Sequence, residues 1–116
     1  MPLGELARTT KTQLNATVVQ LVGDVARPVK RVAIACGAAG SFLALAMKAR
    51  ADVFLTGELS FHDCLAAKAA GVGLILPGHY ATERPGVEDL ATQLADEFPD
   101  VSVWASRQER DPLAIA

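Results

Sequence analysis

A histidine and a glutamate stand four residues apart in Gly78-His79-Tyr80-Ala81-Thr82-Glu83, directly after the apolar run Val72-Gly73-Leu74-Ile75-Leu76. Neutral imidazole offers a nitrogen ligand and an ionised carboxylate an oxygen, a mixture that suits borderline divalent ions such as zinc, manganese, cobalt or iron. A second pair, Glu58 and His62, follows the strand-like run Asp52-Val53-Phe54-Leu55-Thr56 and Gly57. Both pairs have a structural alternative. Glu83 then complements a helix N-terminus and His79 satisfies a loop hydrogen bond, while His62 and Asp63 sit in an exposed first helical turn. Two ligands do not close a metal site on their own, and no catalytic group is assigned from these residues.

A third feature is the small-residue turn Gly37-Ala38-Ala39-Gly40-Ser41 after Cys36. With Ser41 as helix N-cap, free backbone amides at Gly37, Gly40 and Ser41 could hold an anion. The turn is neither a P-loop nor a dinucleotide fingerprint, because the Lys and the third spaced Gly are absent. Its alternative is close backbone packing permitted by Gly.

The elements around these residues follow from periodicity and punctuation. Leu3, Leu6, Ala7, Thr10 and Leu14 form one stripe of a first helix that stops at Asn15. Thr17–Val22 and Arg31–Cys36 read as two strands joined by a short polar loop, an antiparallel hairpin with Pro28 outside the paired ladder. A helix over Phe42–Arg50 is favoured by Ala, Leu, Met and Lys. Asp52–Thr56 is a third strand, followed by a helix over Phe61–Ala70 with Ser60 as N-cap and Gly71 at its C-cap.

Val72–Leu76 is a buried strand closed by Pro77-Gly78. Val87, Leu90, Ala91, Leu94 and Phe98 then mark an amphipathic helix. Were that helix already wound at His79, its side chain and that of Glu83 would share a face; Pro85 argues for a later start, since it disfavours an α conformation at Arg84. Val101-Ser102-Val103-Trp104 alternates as a final edge strand, with Trp104 as core or subunit contact, and Arg107–Asp111 is a solvated charged tail. From Arg31 onward strands and helices alternate. That implies an α/β fold, two- or three-layered, with a mixed, mainly parallel sheet, right-handed crossovers and the antiparallel hairpin partner at its front. In such sheets ligands collect at the carboxyl ends of strands, where both His and carboxylate pairs fall.

Composition narrows the function classes. At 116 residues the chain is one domain, 1–116, and its core must come from Ala, Val, Leu and Ile, since aromatics are 5% of residues against 51% hydrophobic overall. A net charge of −2 with scattered cations excludes a polybasic surface, so neither nucleic acid nor an acidic membrane is expected as main partner. Cys36 and Cys64 form neither a CxxC pair nor a disulfide framework, and no signal-peptide pattern is read. A reduced, cytoplasmic setting is the expectation.

Asp52-Val53-Phe54-Leu55-Thr56-Gly57-Glu58, His62, the Gly78–Arg84 segment, the turn after Cys36 and the closing Asp111-Pro112 together resemble the C-terminal part of the Nif-three-like family, also called GTP cyclohydrolase I type 2-like proteins. The similarity runs from about Leu3 to Leu113. The resemblance implies a toroidal homo-oligomer, commonly a hexamer, with a pair of divalent metals facing an internal cavity. His79 and Glu83 carry over as metal ligands, and Thr56, Gly57, Glu58 and His62 as the motif lining the site. Family members are expected to be about twice this long, their N-terminal half supplying paired histidines and an aspartate. The only histidines here are His62 and His79, so a separate chain, another subunit or solvent would complete the centre.

Three functions follow as expectations. One is the metal-binding half of a metal-dependent hydrolase. Another is a non-catalytic oligomerisation or regulatory module. The third is small anionic-ligand binding at Gly37–Ser41. Cyclohydrolase activity comes with the family name rather than from any of these residues.

Overall fold

The computed structural model describes residues 1–116. Strands β3 (Val53–Glu58) and β4 (Gly73–Leu76) are parallel neighbours, buried along almost their whole length. A central parallel strand is covered on both faces, which is why these runs are continuously apolar and not alternating. Strand β2 (Val32–Ala38) extends the sheet in parallel from β3, and β1 (Gln20–Val22) closes the far edge antiparallel to β4, in the order β1-β4-β3-β2.

Successive side chains of a strand leave opposite faces of the sheet, and each face has its own core. Phe54, Leu74 and Leu76 pack with Leu43 and Ala46 of α2 (Leu43–Lys48) and Ala67 of α3 (Phe61–Ala69). Val53, Leu55 and Ile75 pack with Leu3 and Ala7 of α1 (Leu3–Gln13). Two cores on two faces make the α/β architecture three-layered. Gly57, in the same alternation as Val53 and Leu55, meets the first turn of α4 (His79–Glu97).

The helix ends carry their own stop signals. Ser60 accepts a hydrogen bond from the Asp63 amide as N-cap of α3. At its other end Gly71 adopts φ 71°, donating to Lys68 while Val72 donates to Ala67, a Schellman closure. The same pattern ends α1 at Asn15 (φ 49°) and α2 at Arg50 (φ 55°). Opposite the site, Asp52 fastens the loop before β2. Its carboxylate accepts the amides of Lys30 and Arg31, which hold it below the usual carboxylate range, with Arg27 alongside at 3.8 Å.

Several expectations need correction. The antiparallel neighbour exists, but it pairs with β4 and not with β2, and the two supposed hairpin partners lie at opposite edges. The segment between them is no tight turn: Leu3 donates to the Arg27 carbonyl and Val29 to the Met1 carbonyl, so it runs back along the N-terminus. Helix α2 starts at Leu43, after a 3₁₀ turn over Gly40–Phe42, and Ser41 lies within that turn, capping nothing. Helix α4 is already wound at His79 despite Pro85, whose missing amide costs the Ala81 carbonyl its helical donor.

Residues Val101–Trp104 form no strand and pair with neither edge of the sheet, β1 or β2. The charged tail is exposed yet tethered. Arg84 donates to Glu109 at 2.6 Å and to the Ser106 carbonyl at 2.7 Å. Beyond Pro85 the stripe Val87, Leu90, Leu94 and Phe98 faces solvent, as does Trp104. The radius of gyration, 15.9 Å, accordingly exceeds the about 13 Å of a compact chain of this length. No helix is long and apolar enough to cross a membrane.

Candidate functional site

The parallel strands β2, β3 and β4 share one carboxyl edge, and the chemistry-bearing residues gather there. β2 reaches it through an irregularity: Ala35 pairs with Thr56 but Ala38 with Glu58, so β2 holds one residue more than β3 across this stretch. Gly37 falls inside the bulge at φ 68°, a conformation Gly adopts without a Cβ penalty. The bulge turns the Gly37 α-carbon toward α4.

Two hydroxyls hold the Gly37 backbone there. Thr56 Oγ1 donates to the Gly37 carbonyl at 3.0 Å, and the Gly37 amide donates to Thr82 Oγ1 at 2.9 Å. Thr82 in turn anchors the first turn of α4, its hydroxyl 2.9 Å from the His79 carbonyl. Gly57 makes this convergence possible. A Cβ there would lie 2.7 Å from the Gly37 carbonyl and 2.7 Å from His79 Cα, so no larger residue fits. The Gly78 amide donates to the Gly57 carbonyl at 2.9 Å and closes the junction of β3 with α4.

On this platform His79 lies between two carboxylates. Its Nδ1 is 2.7 Å from Glu58 Oε1, at the end of β3, and its Nε2 is 3.2 Å from Glu83 Oε1, one helical turn on. The Glu58 hydrogen bond, aided by the charge of Glu83, raises the imidazole pKa above the ordinary histidine value. All three side chains are about half exposed, so the pair energies are screened by water. Glu58 also borders an open cleft of about 340 Å³ lined with Ala38, Gly40, Leu59, Ser60 and Asp63.

The donor set fits a divalent cation on two observations. Two ligands on one ion at ~2.0–2.2 Å stand about 2.8–3.6 Å apart, between octahedral and tetrahedral angles; the Nε2 to Oε1 distance of 3.2 Å falls inside that range. In addition, a Cβ on Gly37 would come 2.6 Å from Glu83 Oε1 and 3.0 Å from His79 Nε2. The missing methyl leaves room beside both ligand atoms. No third His, Cys, Asp or Glu joins these two in ligand geometry.

The remaining candidates divide. Glu58 and Gly57 touch His79 directly, and Thr56 reaches the pair only through Gly37. His62 is turned elsewhere, its ring edge-to-face with Phe61 at 5.9 Å and bonded to none of the three. An anion on Gly37, Gly40 and Ser41 would face carboxylates, since Glu83 stands against Gly37 and Asp63 Oδ2 would be 2.7 Å from a Cβ on Gly40. Sequence reading gave no role to Thr82, although it lies inside the singled-out motif, and it did not connect Gly37 with His79 and Glu83.

These features define an α/β domain with a potential metal-ligand pair at the carboxyl edge of a three-layered sheet. Comparison with known proteins makes the assignment specific. The model of the Duf34/NIF3 (NGG1p interacting factor 3) family matches residues 1–112, and the chain belongs to that family. It is 37% identical over 117 aligned positions to a GTP cyclohydrolase 1 type 2 homolog of Staphylococcus aureus (strain MSSA476), covering 97% of this chain and 32% of that protein. The Bacillus subtilis (strain 168) protein of the same name is 33% identical, over 99% of this chain and 32% of its own length.

Among solved structures, Staphylococcus aureus protein SA1388 superposes with a TM-score of 0.89 at 35% identity, over 100% of this chain and 34% of that one. The chain thus spans about a third of the length of these relatives. They are about three times as long as this sequence, while the ybgI protein, 35% identical with a TM-score of 0.73 over 83% of this chain and 40% of its own, is about twice as long, as expected.

Proposed function

We propose that the chain is a divalent-metal-binding NIF3 domain, one part of a metal-dependent hydrolase centre, with His79 Nε2 and Glu83 as its cation ligands. The observation that carries this reading is the 3.2 Å approach of the two ligand atoms beside the side-chain-free face of Gly37. A bound zinc, iron, manganese or cobalt ion would polarise a substrate oxygen or make bound water a nucleophile near neutral pH. The chain's own residues present the two donors from one helical turn, hold that turn on the sheet through Thr82, and leave it open to solvent on one side.

Two ligands fill half or less of a usual coordination shell. The other positions fall to solvent, a second copy in a homo-oligomer, or a separate chain equivalent to the rest of the longer relatives. Two free thiols suit a reducing, cytoplasmic setting. The relatives' name carries a cyclohydrolase label.

The test is elemental analysis of purified protein combined with calorimetric Zn²⁺ titration of wild type and His79→Ala. Stoichiometric metal and loss of binding in the variant support the reading. No binding to wild type, or equal binding to both, removes it.

A second reading rests on a different observation, the solvent-facing stripe Val87, Leu90, Leu94 and Phe98 of α4. An apolar face of this kind marks an interaction surface, and a non-catalytic oligomerisation or regulatory module would use it without metal. Light scattering in the presence of chelator distinguishes the two: an assembly indifferent to chelator in a metal-free protein favours the second.

A further inference from the structure

We propose that Glu58 is a positioning residue for the cation site: it accepts the Nδ1 proton of His79 and so keeps the bare Nε2 turned toward Glu83 and Gly37. The inference rests on the metal reading above and adds to it the group that leaves Nε2 free to ligate. An ionised carboxylate can only accept hydrogen bonds. At 2.7 Å from Glu58 Oε1, Nδ1 therefore carries the proton. The other neutral tautomer would place the proton on Nε2, 3.2 Å from Glu83, and set the Nδ1 lone pair against the Glu58 carboxylate at the shorter of the two distances. Electrostatics at these separations favours the Nδ1–H form.

The consequence falls on the other side of the ring. In the neutral ring with Nδ1 protonated, the Nε2 lone pair and the Glu83 carboxylate confront each other at 3.2 Å, a repulsion that a second ring proton relieves at low pH and a bound cation relieves above it. Gly37 contributes no side chain to that gap, and its own position is held by Thr56 and Thr82. Glu58 is suited to hold the ring because its backbone is part of the sheet, where it pairs with Ala38 immediately after the bulge. A group on a strand end is fixed more tightly than one on a loop. Carboxylates that orient a metal-bound imidazole through its second nitrogen change metal affinity when removed.

Two measurements on the full chain test this. In long-range ¹H–¹⁵N spectra of the ¹⁵N-labelled, metal-free protein above the His79 titration, His79 should show a protonated Nδ1 and a bare Nε2, with exposed His62 as reference ring. Glu58→Ala should shift His79 toward the Nε2–H form, and Glu58→Gln, which still offers an oxygen, should fall between. In Zn²⁺ calorimetry Glu58→Ala should weaken binding by about 10–100-fold, with an unchanged circular dichroism spectrum. An Nε2–H tautomer in wild type, or Zn²⁺ binding to Glu58→Ala as tight as to wild type, overturns the positioning role while leaving the metal reading in place. Absence of Zn²⁺ binding to wild type overturns both, whatever the tautomer.

Discussion

A methyl group on Gly37 would stand 2.6 Å from Glu83 Oε1, so the bare α-carbon at the β2 bulge is what allows that strand to touch the first turn of α4. Strand, bulge and helix meet at a residue with no side chain, and the candidate ligand pair lies at that meeting.

Gly37→Ala is accordingly expected to act twice. The φ of 68° costs an L-residue about 1–2 kcal/mol, and the methyl crowds His79 Nε2 and Glu83 together. Gly71→Ala is the control, because Gly71 has φ 71° and a methyl there would meet nothing within 4 Å. Both variants should lose comparable stability in urea from backbone strain, with Gly37→Ala losing more. Only Gly37→Ala should weaken Zn²⁺ binding in calorimetry. Equal Zn²⁺ affinity in the two would separate Gly37 from the site.

His79 sets a pH dependence whose direction is fixed by its two carboxylate neighbours. Its folded pKa is raised above the ordinary 6.5, first by the Glu58 hydrogen bond and then by Glu83. The stability this contributes is fully present below the unfolded value and is lost as pH rises through the folded one. Zn²⁺ affinity runs the other way, climbing across the same interval as the competing proton leaves. In an NMR titration His79 should release its proton above the ordinary histidine value, and His79→Gln should flatten the pH dependence of stability there. A His79 titration at or below the ordinary histidine value would contradict the arrangement.

What could be read from the sequence and what could not divides along local and non-local lines. The buried runs of β3 and β4, the Ser60 cap and the Gly71 stop are local patterns, and the structure has them where the residues indicated. Pairing of β1 with β4 joins segments more than fifty residues apart, from Gln20–Val22 to Leu74–Leu76, and hairpin logic favours the nearer and wrong neighbour. Val101–Trp104 has a strand's alternation but pairs with neither edge strand. Pro85 argued against a helix at His79, yet Thr82 and the sheet contacts of the first turn outweigh that local preference. The closeness of His79 and Glu83 was legible because only three residues separate them, whichever way the helix began. Their contact with Gly37 and Glu58 was not, because only the bulge and the closeness at Gly57 bring those strand ends to them.

Arg50 offers a gain in stability away from the site. It closes α2 in the left-handed region at φ 55°, its amide donating to Met47 and that of Ala51 to Ala46, the pattern that Gly71 and Val72 form after α3. Gly relieves about 1–2 kcal/mol of strain there and gives back about 0.5–1 kcal/mol through its freer unfolded chain. Arg50→Gly should therefore raise unfolding free energy by about 0.5–1 kcal/mol in urea, with Zn²⁺ binding unchanged. Destabilisation would show that the Arg50 side chain contributes more than its backbone costs.

Thr82 joins the two halves of the platform, and its hydroxyl can be tested apart from its bulk. Thr82→Val keeps volume and β-branching but removes the acceptor of the Gly37 amide, 2.9 Å away in a buried position. An amide buried without a partner costs about 1–3 kcal/mol. Thr82→Ser keeps the hydroxyl and loses one methyl, worth about 0.8 kcal/mol. If the hydroxyl is what ties β2 to α4, Val should be the more destabilising substitution in urea despite its better match in shape. Val should also weaken Zn²⁺ binding, because it frees Gly37 from the ligand pair, whereas Ser should not. The reverse order, with Ser worse than Val and neither touching Zn²⁺ affinity, would mean that Thr82 serves by packing alone.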